Sequence, residues 1–435
     1  MTFIRQLRPV CCTLFALTLA PQIPAAELSD GLQAQVIEWR RDLHQHPELG
    51  NSETRTAGIV AAHLKALGLE VHEGIAVTGV IGYLKGGKPG PFLALRADMD
   101  ALPVTEQTDL PFASRITTQF RGEQVGVMHA CGHDTHVAML MGLAQALAEQ
   151  RETLPGSVLF IFQPAEEGSP DGEQAGAQRM LAEGLFSDRY HGKPDAVFGM
   201  HVRSLLNTGQ IGLRSGPALA SSDTFSIQVL GKQTHGSRPW HGVDPIVVGS
   251  EIVLNLQQIV SRELDISALP TVVTIGQFKS GIRQNIIPDE AFLLGTIRSF
   301  DPVQRKQVIE AIERRATGVA AAANAQAIFS LKPNGYIVTV NNPELVSRMK
   351  PLLATTEGVT EVVDMALITG AEDFSFYARE VPGLFFFVGV TPPGQDPEQA
   401  PGNHSPRFVV DEAGLPIGMR AMLRVTLAYL NGERP

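Results

Sequence analysis

The sequence predicts an α/β protein built on a mostly parallel sheet, with a smaller unit of β-α-β-β-α-β order inserted into it. Three observations predict it. Four short apolar runs, "FLALRA" (92–97), "SVLFIFQP" (157–164), "AVFGMHV" (196–202) and "GLFFFVGV" (383–390), read as strands buried on both faces. Between the first two, Val137, Leu140, Met141, Ala144 and Leu147 repeat at helical spacing. From about Gly216 the order changes.

In that changed region "TFSIQVLG" alternates apolar and polar residues, as a half-exposed strand does. A helical stretch over 245–264 follows, then strands "TVVTIGQF" and "EAFLLGTIRSF", a helix over 302–323 and a last strand "QAIFSL". This is the split βαβ order of a ferredoxin-like unit. After Pro333 helix and strand resume, so the unit interrupts the larger one. The boundaries that follow are 27–215 and 334–435 for the two parts of the large unit and 216–333 for the insertion.

A chain of 435 residues accommodates two or three domains, and 44% apolar with 18% charged residues is ordinary globular composition. The formal charge of −10 argues against nucleic acid as a partner, because phosphate binding needs a basic surface. The first 26 residues combine Arg5 and Arg8 with an apolar run from Val10 to Ala20 and the small pair Ala25–Ala26. That is the pattern of a cleaved secretory signal peptide, and the run is short for a membrane span. Cleavage near Ala26 predicts a secreted or periplasmic protein with no membrane association. Cys11 and Cys12 leave with the signal, and the remaining 33 basic and 45 acidic residues give −12. Cys131 is then the single thiol. In an oxidising compartment an unpaired thiol needs protection, and a metal provides it.

The stretch "VGVMHACGHDTHVAML" (125–140) sets Cys131 beside His133 at the start of the helical pattern. Two residues apart in extended backbone, both side chains can face one way. A metal site, a cysteine nucleophile and a helix-capping cluster are all compatible with these residues alone. "QPAEEG" adds Glu166 and Glu167 just past a buried strand. Adjacent side chains diverge, so one carboxylate can hold a metal while the other takes a proton from water. His201 ends "AVFGMH" and His404 lies in "PGNHSP". In α/β sheets functional groups gather beyond the carboxyl ends of strands, where all of these fall. Two divalent ions sharing the thiolate account for Cys131, His133, Glu167, His201 and His404 together. Asp98 and Asp100 then suit a supporting role, orienting histidines by accepting their other N–H.

"RADMDALPVTE", "MHACGHDTHVAML", "FQPAEEG", "GMHV", "VDPI", "NIIPDEA", "GTIRSF", "GAEDFSF" and "NHSP", in this order, resemble the M20 metallopeptidases. Within them the likeness is to N-acyl-amino-acid amidohydrolases such as hippurate and auxin-conjugate hydrolases. The resemblance implies a catalytic α/β domain with two metals, manganese or zinc, with cobalt or nickel also suited. It implies that the inserted ferredoxin-like domain forms a homodimer. It also implies Cys131 as the bridging ligand, His133, Glu167, His201 and His404 as the other ligands, and Glu166 as general base. His235 in "GKQTHGSRP" corresponds to a lid histidine that polarises the scissile carbonyl, often from the partner subunit. Asn285, Arg298 and Gly370 correspond to positions on the substrate's carboxylate side. The chain departs from the family where "HGSRPWH" replaces the usual "HAAxPH", with Trp240 in place of a histidine. The reaction expected is hydrolysis of an N-acyl amino acid. An exported carboxypeptidase or dipeptidase, and a binding protein with a non-catalytic metal, are the alternatives.

Overall fold

The computed structural model describes residues 28–169, 172 and 174–432. The signal peptide expected over 1–26, with Cys11 and Cys12, lies outside them. The main sheet has eight strands in the spatial order Glu70–Ile75, Gly79–Lys85, Pro155–Gln163, Lys88–Asp98, Ala196–Asn207, Gly383–Thr391, Gln210–Leu213 and Glu361–Asp364. The four central strands, from Pro155–Gln163 to Gly383–Thr391, run parallel to one another.

The continuous apolar runs have a direct cause in this arrangement. Along Pro155–Gln163, Val158, Phe160 and Phe162 enter one core while Leu159 and Ile161 enter the other. Gly383–Thr391 does the same, with Leu384, Phe386 and Val388 against Phe385 and Phe387. A pleated strand covered on both sides has no face left for polar residues. The helix His133–Ala148 packs on the sheet and is covered in turn by Asp30–Gln45, Thr54–Ala66 and Gly414–Leu430. Fourteen of its residues are buried, which is why its apolar pattern extends almost all round.

The changed order after Gly216 is a four-stranded antiparallel sheet, ordered Thr271–Ser280, Glu290–Ser299, Asp223–Leu230 and Gln326–Leu331. Helices Pro245–Arg262 and Pro302–Ala322 pack on it around Ile227, Leu256, Leu293 and Ile312. Both helices start at Asp-Pro. Asp244 accepts from the N–H groups of Ile246 and Val247, and Asp301 from those of Val303 and Gln304. The proline at the first helical position has no N–H to satisfy and carries a helical φ. Among the described residues no helix is long and apolar enough to cross a membrane.

Candidate metal centre

The carboxyl ends of the central strands and the start of the His133–Ala148 helix converge on one cavity of about 620 Å³. Gly132 caps that helix at φ +96°, and a Cβ there would overlap Val202 Cγ2. Only glycine lets the chain turn so tightly against Val202, and the turn sets Cys131 and His133 on either side of it. Potential ligand atoms of Cys131, His133 and His201 form one group, and those of Cys131, Glu167 and His404 another, each within 4.8 Å of one another. The two groups share the thiol.

Two of the imidazoles have one nitrogen committed away from the cluster. His133 Nδ1 donates to the Asp100 carbonyl (2.8 Å) and His201 Nδ1 to the Val202 carbonyl (2.6 Å). His201 Nε2 then lies 3.3 Å from Cys131 Sγ, while the buried His133 Nε2 has no hydrogen-bond partner. Glu167 Oε1 is buried and likewise lacks an aligned donor, although it stands 3.0 Å from His404 Nε2. Buried polar atoms without partners are costly. These two point into a thiol, imidazole and carboxylate donor set whose chemistry suits a divalent transition-metal ion. The local field agrees. Cys131 and Glu167 push His404 up to about 10. Burial opposes a charge on His133, yet Asp98 and Cys131 hold it well above the usual imidazole range. The cluster attracts positive charge.

Glu166 is 6% exposed and adjoins both His133 and Glu167. Burial, and then the carboxylates of Glu372, Glu167 and Asp373, push its carboxyl well up. Its backbone is pinned on both sides: Glu166 N–H donates to Asp100 Oδ1 (3.0 Å), and the Tyr336 hydroxyl donates to the Glu166 carbonyl. Glu167 N–H donates to Asp100 Oδ2 (2.9 Å). A purely acidic group, Glu166 with Glu372 and Asp373, also has ligand geometry. Arg96 pairs with two of its members, at 3.0 Å from Glu372 and 2.8 Å from Asp373.

The two supporting aspartates serve different histidines. Asp98 Oδ1 accepts from Nδ1 of His136 (2.6 Å), which is not one of the expected ligands, and His136 Nε2 accepts from Val202 N–H (2.9 Å). Asp98 Oδ2 is taken by Arg96 and lies 3.8 Å from His133. Asp100 orients His133 with its main-chain carbonyl and with its carboxylate, whose Oδ1 lies 3.3 Å from His133 Nδ1 while the same group holds the Glu166–Glu167 backbone. Sequence reasoning assigned no role to His136, Arg96, Glu372, Asp373, Tyr336 or Asn403. Asn403 Nδ2 donates to the carbonyls of Cys131 (2.9 Å) and Val202 (3.2 Å), tying the His404 loop to the centre. The adjacent "ED" of "GAEDFSF" beside a buried-strand arginine was the available signal for the Arg96 network.

Of the expected substrate residues, Arg298 and Gly370 line the cavity. His235 and Asn285 do not. Both are exposed and sit together on a short ribbon, where Thr234–His235 pairs with Ile286–Ile287 and Gly236 N–H donates to the Asn285 carbonyl. His235 Nδ1 accepts from the Ser237 hydroxyl (2.7 Å), leaving Nε2 outward.

The model of peptidase family M20/M25/M40 matches residues 94–428. The chain is 38% identical to thermostable carboxypeptidase 2 of Saccharolobus solfataricus, across 91% of this chain and 95% of that one. It is 37% identical to IAA-amino acid hydrolase ILR1-like 4 of Arabidopsis thaliana, across 94% and 90%. Among solved structures, the Bacillus subtilis YXEP protein, a dinuclear metal binding peptidase of family M20, superposes with a TM-score of 0.76 at 34% identity, covering 93% of this chain and 99% of that one. A matching family model over most of the chain, relatives along nearly its whole length and a donor set suited to divalent ions agree: the chain belongs to peptidase family M20/M25/M40 and is a metal-dependent amidohydrolase.

Proposed function

We propose that this protein hydrolyses the amide bond of N-acyl amino acids, releasing a carboxylic acid and a free amino acid. The observation that carries the reading is one cavity lined by the Cys131 donor set, the buried base candidate Glu166 and the carboxylate-binding candidate Arg298. Its likeness to an IAA-amino acid hydrolase supports the same substrate class. Cys131 with His133 and His201, and Cys131 with Glu167 and His404, would hold two divalent ions. Manganese and zinc suit this mixed set, as do cobalt and nickel. Such ions polarise a carbonyl oxygen and make water more acidic.

Glu166 takes the proton of the attacking water and returns it to the leaving amine. Asp100 and Tyr336 fix the backbone from which its carboxylate reaches the reacting groups. Arg298 presents a planar fork to the carboxylate of the amino acid, with Gly370 beside it and Asn285 completing the subsite. His235 donates to the developing oxyanion. Because His235 and Asn285 are exposed and off the cavity, both are supplied by a second subunit across the inserted domain. The Thr271–Ser280 strand ends its sheet, and nearby Leu254 (70% exposed), Val272 and Phe278 leave apolar surface for a twofold partner. Export to the periplasm or medium through residues 1–26 completes the reading, and mass spectrometry of the exported protein should find an N-terminus near Glu27.

The similarity to a thermostable carboxypeptidase favours one rival, peptide hydrolysis by the same centre. N-acetyl, N-benzoyl and N-indolyl amino acids assayed beside dipeptides, with amine release as readout, separate the two. Turnover confined to dipeptides refutes the N-acyl reading.

A further inference from the structure

We infer that Arg203 is a specificity residue whose guanidinium receives a second carboxylate, carried by the acyl part of the substrate. The preferred substrates are then half-amides of dicarboxylic acids with amino acids. This rests on the N-acyl amino acid reading above and names the acyl class within it.

Arg203 follows His201 by two residues on the strand Ala196–Asn207, so both side chains leave the same face. Both line the cavity that holds Cys131, Glu167, His404 and Arg298. Phe387 pairs in register with His201 on the neighbouring strand and lies under both side chains. The Arg203 guanidinium carbon stands 5.4 Å from that ring's centroid, and the His201 ring 6.2 Å from it. An aromatic floor fixes a guanidinium in orientation and leaves its edge open to an anion.

What is missing is the anion. Arg203 Nε is buried without an acceptor, and no carboxylate of the described residues lies within ion-pair distance of the side chain. The two most buried arginines are treated very differently. Arg40 is paired with Asp134 and Glu412, and Arg96 with Asp98, Glu372 and Asp373. Carboxylates near Arg203 are already engaged, Glu372 with Arg96 and Glu167 with His404. A half-buried cation stacked in a cavity without a counter-ion is a receptor for one brought by a ligand.

Arg298 is the second such group. It stands on the strand Glu290–Ser299 of the inserted sheet, with no carboxylate in ion-pair range, and Asp223 is held by Nε and Nη2 of Arg305. Two unpaired guanidinium groups thus border one cavity from two different sheets. An N-acyl amino acid with a neutral acyl chain has one carboxylate and satisfies one of them. With the amino-acid carboxylate at Arg298 and the amide at the Cys131 cluster, a carboxylate at the far end of the acyl chain satisfies the other.

The test uses length-matched acyl groups on one amino acid, N-glutaryl-leucine against N-pentanoyl-leucine, with the metal-loaded full-length enzyme. Wild type should favour the glutaryl substrate at least tenfold in kcat/KM, as expected for a charge-assisted bond in a partly desolvated site. Arg203→Gln should bring that ratio to about one, and Arg203→Lys should keep part of it. Free glutarate should inhibit wild type more strongly than pentanoate, and Arg203→Gln should abolish the difference. Thermal melts of both variants confirm that each is folded. Equal rates on the two substrates in wild type, or a ratio unchanged by Arg203→Gln, overturn the assignment. Turnover of dipeptides with no cleavage of either acyl-leucine instead refutes the N-acyl amino acid reading, and this inference with it.

Discussion

Gly132→Ala puts the geometry of the metal centre under direct test. The residue has φ +96° and sits between Cys131 and His133, with Val202 Cγ2 occupying the space a Cβ would take. A left-handed backbone costs an L-residue about 1–2 kcal/mol. Forcing a methyl against a packed side chain adds about 1–3 kcal/mol. Val202 is 1% exposed and lies between the sheet and the His133–Ala148 helix, so it has little room to withdraw. The substitution should therefore destabilise the fold by about 2–5 kcal/mol. Val202→Ala alone removes two buried methyl groups, worth about 1.6 kcal/mol at 0.8 each. In the double variant the overlap is gone and only the backbone term remains. The two effects should fall short of additivity by about 1–3 kcal/mol. Denaturant unfolding of chelator-treated protein measures all four corners of this cycle without a metal contribution. Metal stoichiometry of the reloaded variants then reports whether Cys131 and His133 still converge. Additivity within about 0.5 kcal/mol, or a Gly132→Ala protein as stable as wild type, refutes the account of this turn.

Cys131→Ser should lose metal along with activity, since a hydroxyl bridges far more weakly than a thiolate, and elemental analysis will show it. Glu166→Gln should keep its metal and lose about 10²–10⁴-fold in kcat, whereas Glu167→Gln should lose metal; the reverse pattern would exchange the two roles. Chelation should lower the melting temperature, because it removes an ion bound by the folded state and leaves His133 Nε2 buried without a partner; identical melts with and without chelator would contradict this. Coexpression of Glu166→Ala with His235→Ala should restore measurable turnover, because a mixed dimer then contains one intact site. Activity held at the level of the single variants would place His235 in its own subunit's site.

The sequence alone was enough to mark Cys131, His133, Glu167, His201 and His404. Cys131 and His133 flank the start of a buried helix, Glu167 follows a buried strand and His201 lies within one, and such elements leave strong local signatures in apolar runs and periodicity. The same signatures separated the two sheets, since a strand covered on both faces and one covered on a single face differ in composition. Tertiary structure decided which polar groups meet. Asp98 is two residues from Asp100, yet it serves His136, because strand order brings that helix face over it and leaves Asp100 to hold the Glu166–Glu167 turn. Arg96 and Asp373 are 277 residues apart and pair only when their strands and loops close around one end of the sheet. Arg203 looks in sequence like any solvated strand arginine. Its lack of a carboxylate partner is a property of everything around it, and local sequence carries no record of which distant groups fail to arrive.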